Sequence, residues 1–400
     1  MLKRMLAVVA GSLLAASGFA ANPELRSDHP QTYTVVRGDT LWDISARFLK
    51  SPWLWPEIWQ ANSQIENPHL IYPGDQISLV YIDGQPRLVR GNGGNRPDVV
   101  RLSPRVRNVG GDRAIQPIPL EHIKAFLEQT RVYSDEAIKH LPYVVENEES
   151  RLVSAPGQLV YVRGLDARPG DAVDVVRPTV VYRELPARFP WTKSVPRKFD
   201  RKPYDGVRQV TFASLWLEGF NNLHRRHSSE ILGHEVQQVS RARVLKSGDP
   251  ATLELLDSNF EVMKGDLVVA ADTHPYDASY SPHAPDAVPA NMRVLGVSGA
   301  ERYTGSYRLV ALSRGARDGV ANGEVYALYQ PSRKQRDKVK FANEDLRTVF
   351  PNKAAKVVIP EEFLGHAMVF RTFEKVSYAL VMDGIRPIQL NDIALAPQAL

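Results

Sequence analysis

One short stretch of the chain, residues 33–79, carries a dense series of structural signals. It begins YTVVRGDTLWDISARF, passes through WPEIWQAN and ends NPHLIYPGDQISLV. Both ends of the stretch alternate apolar and polar residues, as strands do, while LWDISARF and WPEIW place apolar residues at helical spacing. Turn residues stand at Gly38-Asp39 and at Pro73-Gly74. The stretch therefore predicts a strand, two helices and a second strand, in that order.

The two predicted helices have recognisable start signals. Thr40 is a good N-cap for a helix that begins at Leu41, and Asp43 suits its first turn because a carboxylate there favours the helix dipole. Pro56 suits the first position of the second helix. A unit this small has little core, and the chain has no cysteine to staple it. We expect its tryptophans to supply the buried area instead; they are Trp42, Trp53, Trp55 and Trp59.

The three blocks, in this order, resemble a LysM module, a small domain that binds the N-acetylated sugars of peptidoglycan or chitin. The resemblance implies a shallow glycan groove between the loop after the first strand and the loop before the second. Its residues would be Gly38, Asp39, Thr40 and Leu41 in the first loop and Asn67, Pro68, Leu70, Ile71, Tyr72 and Pro73 in the second. Backbone amides there can bond acetamido oxygens, and apolar side chains can cover sugar faces.

A purely structural interpretation stays open for part of this module. Turn and core roles also explain Gly38, Gly74 and Trp42. The segment Leu49–Leu54, between the two helices, is longer than in many LysM units. The sequence therefore predicts a groove formed by the two loops and leaves the exact contacts open.

The first 20 residues have the pattern of an export signal. Lys3 and Arg4 precede an apolar run, and Gly18-Phe19-Ala20 is a small-x-small cleavage site. A membrane anchor is the alternative, but the apolar run is short and is interrupted by glycine and serine. We expect a mature chain that has no transmembrane segment, reaches the periplasm and associates with the cell wall.

Composition narrows the remaining functions. With the signal removed, 48 basic residues face 45 acidic ones, so the chain is nearly balanced in charge and no nucleic-acid partner is expected. The absence of cysteine excludes disulfides, cysteine nucleophiles and thiolate metal sites. The basic run Arg333–Lys340 is interpreted as a solvated loop, with contact to an anionic surface as the alternative.

The predicted organisation is multidomain α+β, with a βααβ module followed by a β-rich region. A Gly/Asn/Pro stretch, residues 91–97, is typical of a flexible joint. The expected segments are a signal peptide (1–20), the glycan-binding module (32–82), a linker (83–118), a mixed helix and strand segment (119–198) and a β-rich C-terminal region (199–400).

The β-rich region repeats a turn that is followed by a strand. The turn occurs at Arg168–Asp171, at Lys264–Asp266 and at Asn391-Asp392. A longer similarity links the runs that begin at Leu232-Gly233-His234 and at Leu364-Gly365-His366. We interpret the region as two related small units, each barrel-like or sandwich-like.

The whole arrangement carries a second resemblance. A LysM module followed by SRGARDGVANGEVYALY and LGHAMVFRTFEKVSYALVMDGIRPIQLNDIALAP is similar to the secretin-associated protein (TsaP) family of type IV pili. That family joins an N-terminal LysM to a region similar to flagellar assembly protein T. The resemblance implies an anchor that ties an outer-membrane secretin ring to peptidoglycan.

A cell-wall hydrolase is the main alternative function, and the residues that it needs are incomplete. The segment 234–238 begins like the zinc motif HExxH but has Gln238 at the second ligand position, and its alternation predicts a strand. His224 and His227 are interpreted as surface or loop residues, with metal ligation as the alternative. Glu148-Glu149-Ser150 lacks the flanking pattern of lytic transglycosylases. We therefore expect no catalytic residue, no metal and no cofactor.

The sequence thus predicts an exported, non-enzymatic peptidoglycan anchor. Its partners would be glycan strands and an envelope assembly protein, foremost a type IV pilus secretin. An accessory or degenerate wall hydrolase, or a periplasmic scaffold for another machine such as the flagellum, remains the alternative.

Overall fold

The structure is a computed structural model that describes residues 23–59, 71–90, 130–184, 199–203, 230–271, 281–297, 303–337, 339 and 356–397. The predicted export signal and the predicted flexible joint at residues 91–97 lie outside these ranges. Within them, no helix combines the length and the apolar character that crossing a membrane requires.

The N-terminal module has the predicted order of strand, two helices and strand. Its elements are β1 (Thr32–Thr34), α1 (Leu41–Phe48), a 3-10 turn (Pro52–Leu54), α2 (Trp55–Trp59), β2 (Gln76–Ile82) and β3 (Gln85–Arg90). The strands form one antiparallel sheet in the order β1-β2-β3. β3 was not predicted, and it lies in the range that the sequence assigned to the linker.

The module has its own small core between the helices and this sheet. The core gathers Val35, Leu41, Ile44, Phe48, Leu49, Trp55, Ile58, Trp59, Ile71, Ile77 and Leu88. Trp55 and Trp59 therefore supply buried area as expected. Leu88 shows why β3 forms, since this strand carries an apolar side chain that closes the core.

An eight-stranded sheet follows, in the order β4-β10-β11-β7-β5-β13-β8-β9. Its strands are β4 (Thr130–Tyr133), β5 (Tyr143–Asn147), β7 (Leu159–Arg163), β8 (Ala172–Glu184), β9 (Phe199–Pro203), β10 (Glu230–Lys246), β11 (Ala251–Ser258) and β13 (Leu267–Ala270). A short helix, α3 (Asp135–Lys139), follows β4, and β6 (Val153–Ser154) pairs with β12 (Val262–Met263).

This sheet curves into a partly closed barrel. β10 pairs with β8 as well as with β11 and β4, so the sheet returns on itself. β5 and β13 meet at one residue pair, Tyr143 with Leu267, and backbone hydrogen bonds such as that from the Val144 N–H to the Asp266 carbonyl join the strands there. Valine and leucine side chains fill the interior, among them Val160, Val175 and Leu253.

A six-stranded antiparallel sheet completes the C-terminal region, in the order β14-β16-β21-β20-β17-β23. Its strands are β14 (Val294–Val297), β16 (Leu309–Leu312), β17 (Val325–Gln330), β20 (Glu362–Thr372), β21 (Ser377–Val381) and β23 (Ile393–Leu395). Two small ribbons accompany it: β15 (Tyr303–Thr304) pairs with β22 (Ile388–Gln389), and β18 (Arg333–Arg336) pairs with β19 (Lys356–Ile359). The interpretation of residues 333–336 as loop is therefore wrong.

The repeated turns have a common physical basis. In each, an aspartate carboxylate accepts the backbone N–H three residues before it, from Arg168 to Asp171, from Met263 to Asp266 and from Gln389 to Asp392. The two Leu-Gly-His runs lie in the long strands β10 and β20. Each histidine also faces an aspartate, because His234 Nε2 lies 2.9 Å from Asp135 Oδ1 and His366 Nδ1 lies 2.8 Å from Asp383 Oδ2.

The N-terminal module is docked on the C-terminal region. The side chains of Trp42 and Trp53 pack outside the module's own core. They belong to a buried cluster formed mainly by the six-stranded sheet, with Leu309 and Met382 among its members. The Trp53 ring lies 4.6 Å from the ring of His366. The segment between the helices, unusual in its length, therefore brings the two parts of the molecule into contact.

Candidate functional site

The first loop of the predicted groove is held in shape by a carboxylate. Asp39 accepts the N–H of Val36 at 2.8 Å and the hydroxyl of Tyr33 at 2.9 Å. Gly38 has a φ of 97°, a left-handed conformation that favours glycine. Val36, Arg37 and Gly38 are exposed, so the tip of this loop presents an apolar side chain, a basic side chain and glycine backbone to solvent.

The start of α1 forms the buried side of the same loop. Thr40 and Asp43 make a capping box: Asp43 N donates to Thr40 Oγ1, and Thr40 N donates to Asp43 Oδ2. Thr40 is only 5% exposed, and Leu41 is fully buried. These two predicted site residues support the loop, and what they can offer a ligand is mainly backbone.

The second loop lies beside the first. Asp75 accepts the N–H of Tyr72 at 2.9 Å, and Gly74 N donates to the carbonyl of Val35 at 2.8 Å. The Val35 N–H in turn donates to the carbonyl of Asp75 at 2.8 Å. These bonds fasten the second loop to the end of β1, where the first loop begins.

The predicted residues of the second loop divide by burial. Ile71 is fully buried in the module core, whereas Tyr72 and Pro73 are half-buried at the surface. Asn67, Pro68 and Leu70 lie outside the described residues. The accessible surface of the two loops in the described part is therefore formed by residues 36–38 and 72–74, with Asp39 at its edge.

Sequence reasoning missed Val36 as a surface residue of the groove. Its side chain is 57% exposed although it is an aliphatic residue next to a buried one, Val35. The signal was present, because in an alternating strand Tyr33 and Val35 share one face, which leaves Val36 on the other.

Tyr33 stabilises the first loop of the predicted groove through its hydroxyl group. The pKa of its phenol is raised, mainly by burial and further by the hydrogen bond to Asp39. The guanidinium of Arg47 lies 4.6 Å from the centre of the same ring, within cation–π range. Tyr33 thus remains a neutral hydrogen-bond donor that holds the Asp39 carboxylate in place.

A residue of the C-terminal region also reaches this site. Tyr307, in the loop between β15 and β16, donates its hydroxyl to Asp43 Oδ1 at 2.9 Å. Burial and the Asp43 carboxylate raise the pKa of this phenol to about 12, and the charge of Asp39 adds to the effect. No sequence signal pointed to Tyr307, which is separated from Asp43 by 264 positions along the chain.

The candidate catalytic fragments have structural roles in the described residues. The segment with His234 lies in β10, so its predicted strand is confirmed and the helix of a zinc HExxH motif is absent there. Glu148–Ser150 forms a 3-10 turn, in which Glu148 accepts the Leu159 N–H. His224 and His227 lie outside the described residues. Within the described ranges, no three His, Asp or Glu side chains are grouped so as to hold a metal ion.

A cavity of about 740 Å³ lies where β8 approaches the six-stranded sheet. Arg293, Arg314 and Arg317 line it, together with Glu184 and Asp318. Arg314 donates to the carbonyl of Ala290, Arg293 donates to Asn291, and Arg317 pairs with Glu230 at 2.6 Å. Because protein groups already engage these guanidiniums, the cavity has the chemistry of an internal junction.

Comparison with known proteins identifies the N-terminal module. Residues 33–80 match the LysM domain family and therefore form a LysM domain, a module that binds carbohydrate and performs no catalysis. The chain is also 37% identical over 60 residues to the uncharacterized protein YqbP of Bacillus subtilis (strain 168), across 12% of this chain and 27% of that protein. The chain thus aligns with about a quarter of that relative's length.

Proposed function

We propose that this chain is a non-enzymatic anchor, exported to the periplasm, that ties an envelope protein assembly to peptidoglycan. The LysM domain binds the glycan strands, and the strand-rich C-terminal region, interpreted as two related units, holds the assembly. The assembly is a type IV pilus secretin ring, as the TsaP resemblance implies, with the flagellum as the alternative. The observation that carries the glycan-binding half is the LysM domain with its two adjacent loops.

The geometry of the loops supports this function. Hydrogen bonds hold the first loop and residues 72–75 of the second before any ligand arrives, which lowers the entropy lost on binding. The accessible surface is small and combines apolar side chains, the Arg37 side chain and backbone, groups that can pack on an N-acetylated sugar and bond its oxygens. A shallow site of this kind gives modest affinity, and many copies around a ring would turn it into firm attachment through effective concentration.

The direct test is co-sedimentation of the mature chain with purified sacculi. We expect the wild-type protein in the pellet and no soluble sugar-peptide fragments in the supernatant, because the chain binds the wall without cutting it. Val36→Arg places a long charged side chain on the accessible surface without disturbing the core, and should weaken pelleting by about tenfold or more because a ligand would bury that charge.

The matched control is Val358→Arg, on the β19 strand of the C-terminal region. Val358 is 58% exposed, close to the 57% of Val36, so both variants gain the same charge at equally open positions. The control should pellet like the wild type. A folded wild-type chain that stays in the supernatant at high sacculus loading, or equal losses in both variants, would refute the assignment of this surface to glycan.

A further inference from the structure

The starting point is a contact between the C-terminal region and the predicted groove. The hydroxyl of Tyr307 is bound to Asp43 Oδ1, and the other oxygen of that carboxylate accepts the N–H and the hydroxyl of Thr40. The Asp43 carboxylate thus bridges Tyr307 and Thr40, a residue of the first groove loop. The charge of Asp39, in the same loop, also acts on the Tyr307 phenol.

The backbone holds Tyr307 in an unusual conformation to make this contact. Its φ is 58°, a left-handed value that is a genuine outlier for a bulky residue and is energetically unfavourable. The Tyr307 N–H donates to the carbonyl of Val381 at 2.7 Å, and Ser306 Oγ and Gly384 are joined by two hydrogen bonds. The surrounding bonds therefore fix the loop and maintain a strained residue at the edge of the groove.

The contacts that dock the LysM domain on the C-terminal region also connect to the loop that carries Tyr307. Trp53 is buried against His366, whose Nδ1 lies within hydrogen-bond distance of both oxygens of Asp383. Asp383 and Gly384 form the segment that also braces Ser306. One continuous set of contacts thus links the segment between the LysM helices to the loop that carries Tyr307.

We propose that the glycan site is composite, with Tyr307 as one of its binding residues. The hydroxyl is anchored to Asp43, so a half-buried aromatic ring stands at the helix end of the first loop. Aromatic rings pack against the apolar faces of hexose rings and against acetamido methyl groups, which is the chemistry of an N-acetylated hexosamine. This inference rests on the proposed glycan binding and adds a wall that the LysM sequence alone does not contain.

The test is a calorimetric titration of the full mature chain with a soluble N-acetylglucosamine pentamer. Tyr307→Ala removes the ring and should weaken binding about five- to tenfold, the range expected for one aromatic packing contact. Tyr307→Phe keeps the ring and removes the bond to Asp43, so its affinity should stay within about twofold of the wild type. Tyr161→Ala, at another half-buried tyrosine far along the chain in β7, is the control and should bind as the wild type does.

The outcomes separate this inference from the function on which it rests. A purely structural role for the hydroxyl bond would make Tyr307→Phe as damaging as Tyr307→Ala, and that result overturns the inference. Unchanged binding of the pentamer by Tyr307→Ala also overturns the inference. Tighter binding by Tyr307→Ala overturns it too, because the ring would then cover the groove in the wild type. A wild-type chain that binds no pentamer and no sacculi contradicts glycan binding itself. Thermal melts of each variant establish that the compared proteins are folded.

Discussion

At the scale of single residues, the same chemical group supports several turns of this chain. Asp39, Asp75, Asp171, Asp266 and Asp392 each accept a backbone N–H from three residues earlier. The short carboxylate side chain reaches that N–H within its own turn, and several of these carboxylates also bond residues elsewhere in the fold, as Asp266 does with Arg177. These aspartates therefore stabilise their own turns. For this reason Asp39 is assigned a structural role in the first loop of the predicted groove.

The carboxylate of Asp392 is almost fully buried, as is that of Asp266, which pairs with Arg177 at 2.7 Å. Burial raises the pKa of Asp392 from the usual 3.8 to about 6, although the bond from Gln389 and the charge of Arg293 act in the opposite direction. A raised folded-state pKa means that the folded protein binds the proton more tightly than the unfolded chain. The contribution of the protonated Asp392 side chain to the free energy of unfolding is therefore fully present below about pH 4, and it is lost as the pH rises through 6.

The Asp392→Asn variant tests this dependence. Asparagine keeps an acceptor for the Gln389 N–H but carries no charge, so it avoids the cost of burying the ionised form. Between pH 4 and pH 7, the unfolding free energy of the variant relative to the wild type should rise by up to about 3 kcal/mol. Denaturant unfolding at several pH values measures it, with Asp171→Asn as the control because Asp171 makes the same turn bond at an exposed site. A relative stability that stays flat across this range would contradict the assignment.

At the scale of elements, the segment between the two LysM helices has the least expected role. Its residues Pro52–Leu54 form a 3-10 turn that carries Trp53 out of the module and into the C-terminal region. Trp42, at the start of α1, enters the same cluster. Together with the Tyr307–Asp43 hydrogen bond, these contacts fix the orientation of the LysM domain on the six-stranded sheet.

Replacement of Trp53 by alanine should release the domain from that position. A buried tryptophan reduced to alanine typically costs about 3–5 kcal/mol, and here much of the loss falls on the docking contact. Backbone amides of α1 and of residues 304–309 should exchange hydrogen faster in Trp53→Ala, while those of the barrel interior should not. Trp53→Phe retains a ring against His366 and should show a smaller effect. Equal exchange in wild type and Trp53→Ala would mean that the docking does not depend on this side chain.

The sequence predicted those elements whose signals are local. The cap at Thr40, the apolar faces of α1 and α2, and the aspartate turns all depend on residues within a few positions of one another. β3 had a local signal that was missed, because Asp83-Gly84 is typical of a two-residue hairpin turn between strands. The docking of Trp53 on His366 and of Tyr307 on Asp43 had none, since each joins residues that are remote in sequence.

At the scale of the whole molecule, the LysM domain and the C-terminal region form a continuous packed structure. The barrel and the six-stranded sheet are also joined, because Glu235 of β10 accepts the hydroxyl of Tyr378 of β21 at 3.0 Å and that of Tyr182 at 2.5 Å. Burial and the nearby Glu235 charge raise the pKa of Tyr378, so this hydroxyl stays a donor. A load applied to the C-terminal region would then reach the LysM domain through buried contacts.

The proposed anchor function requires that one chain connect the wall to an envelope assembly. Val36→Arg is suited to test this connection, because the Val36 side chain is exposed and is not a member of the buried cluster that contains Trp53. We expect the variant to remain folded and to keep binding its protein partner, but no longer to bind peptidoglycan.

The most direct measurement is therefore a paired fractionation of cell envelopes that contain either the wild-type chain or Val36→Arg. Sedimentation of the sacculi and co-purification of the secretin with this chain are measured in the same preparations. We expect the secretin to co-purify with both chains, to sediment with the sacculi when the chain is wild type, and to be released from them with Val36→Arg. If the variant melts cooperatively and yet loses the secretin together with the sacculi, the groove belongs to the partner interface and the two-ended anchor is contradicted.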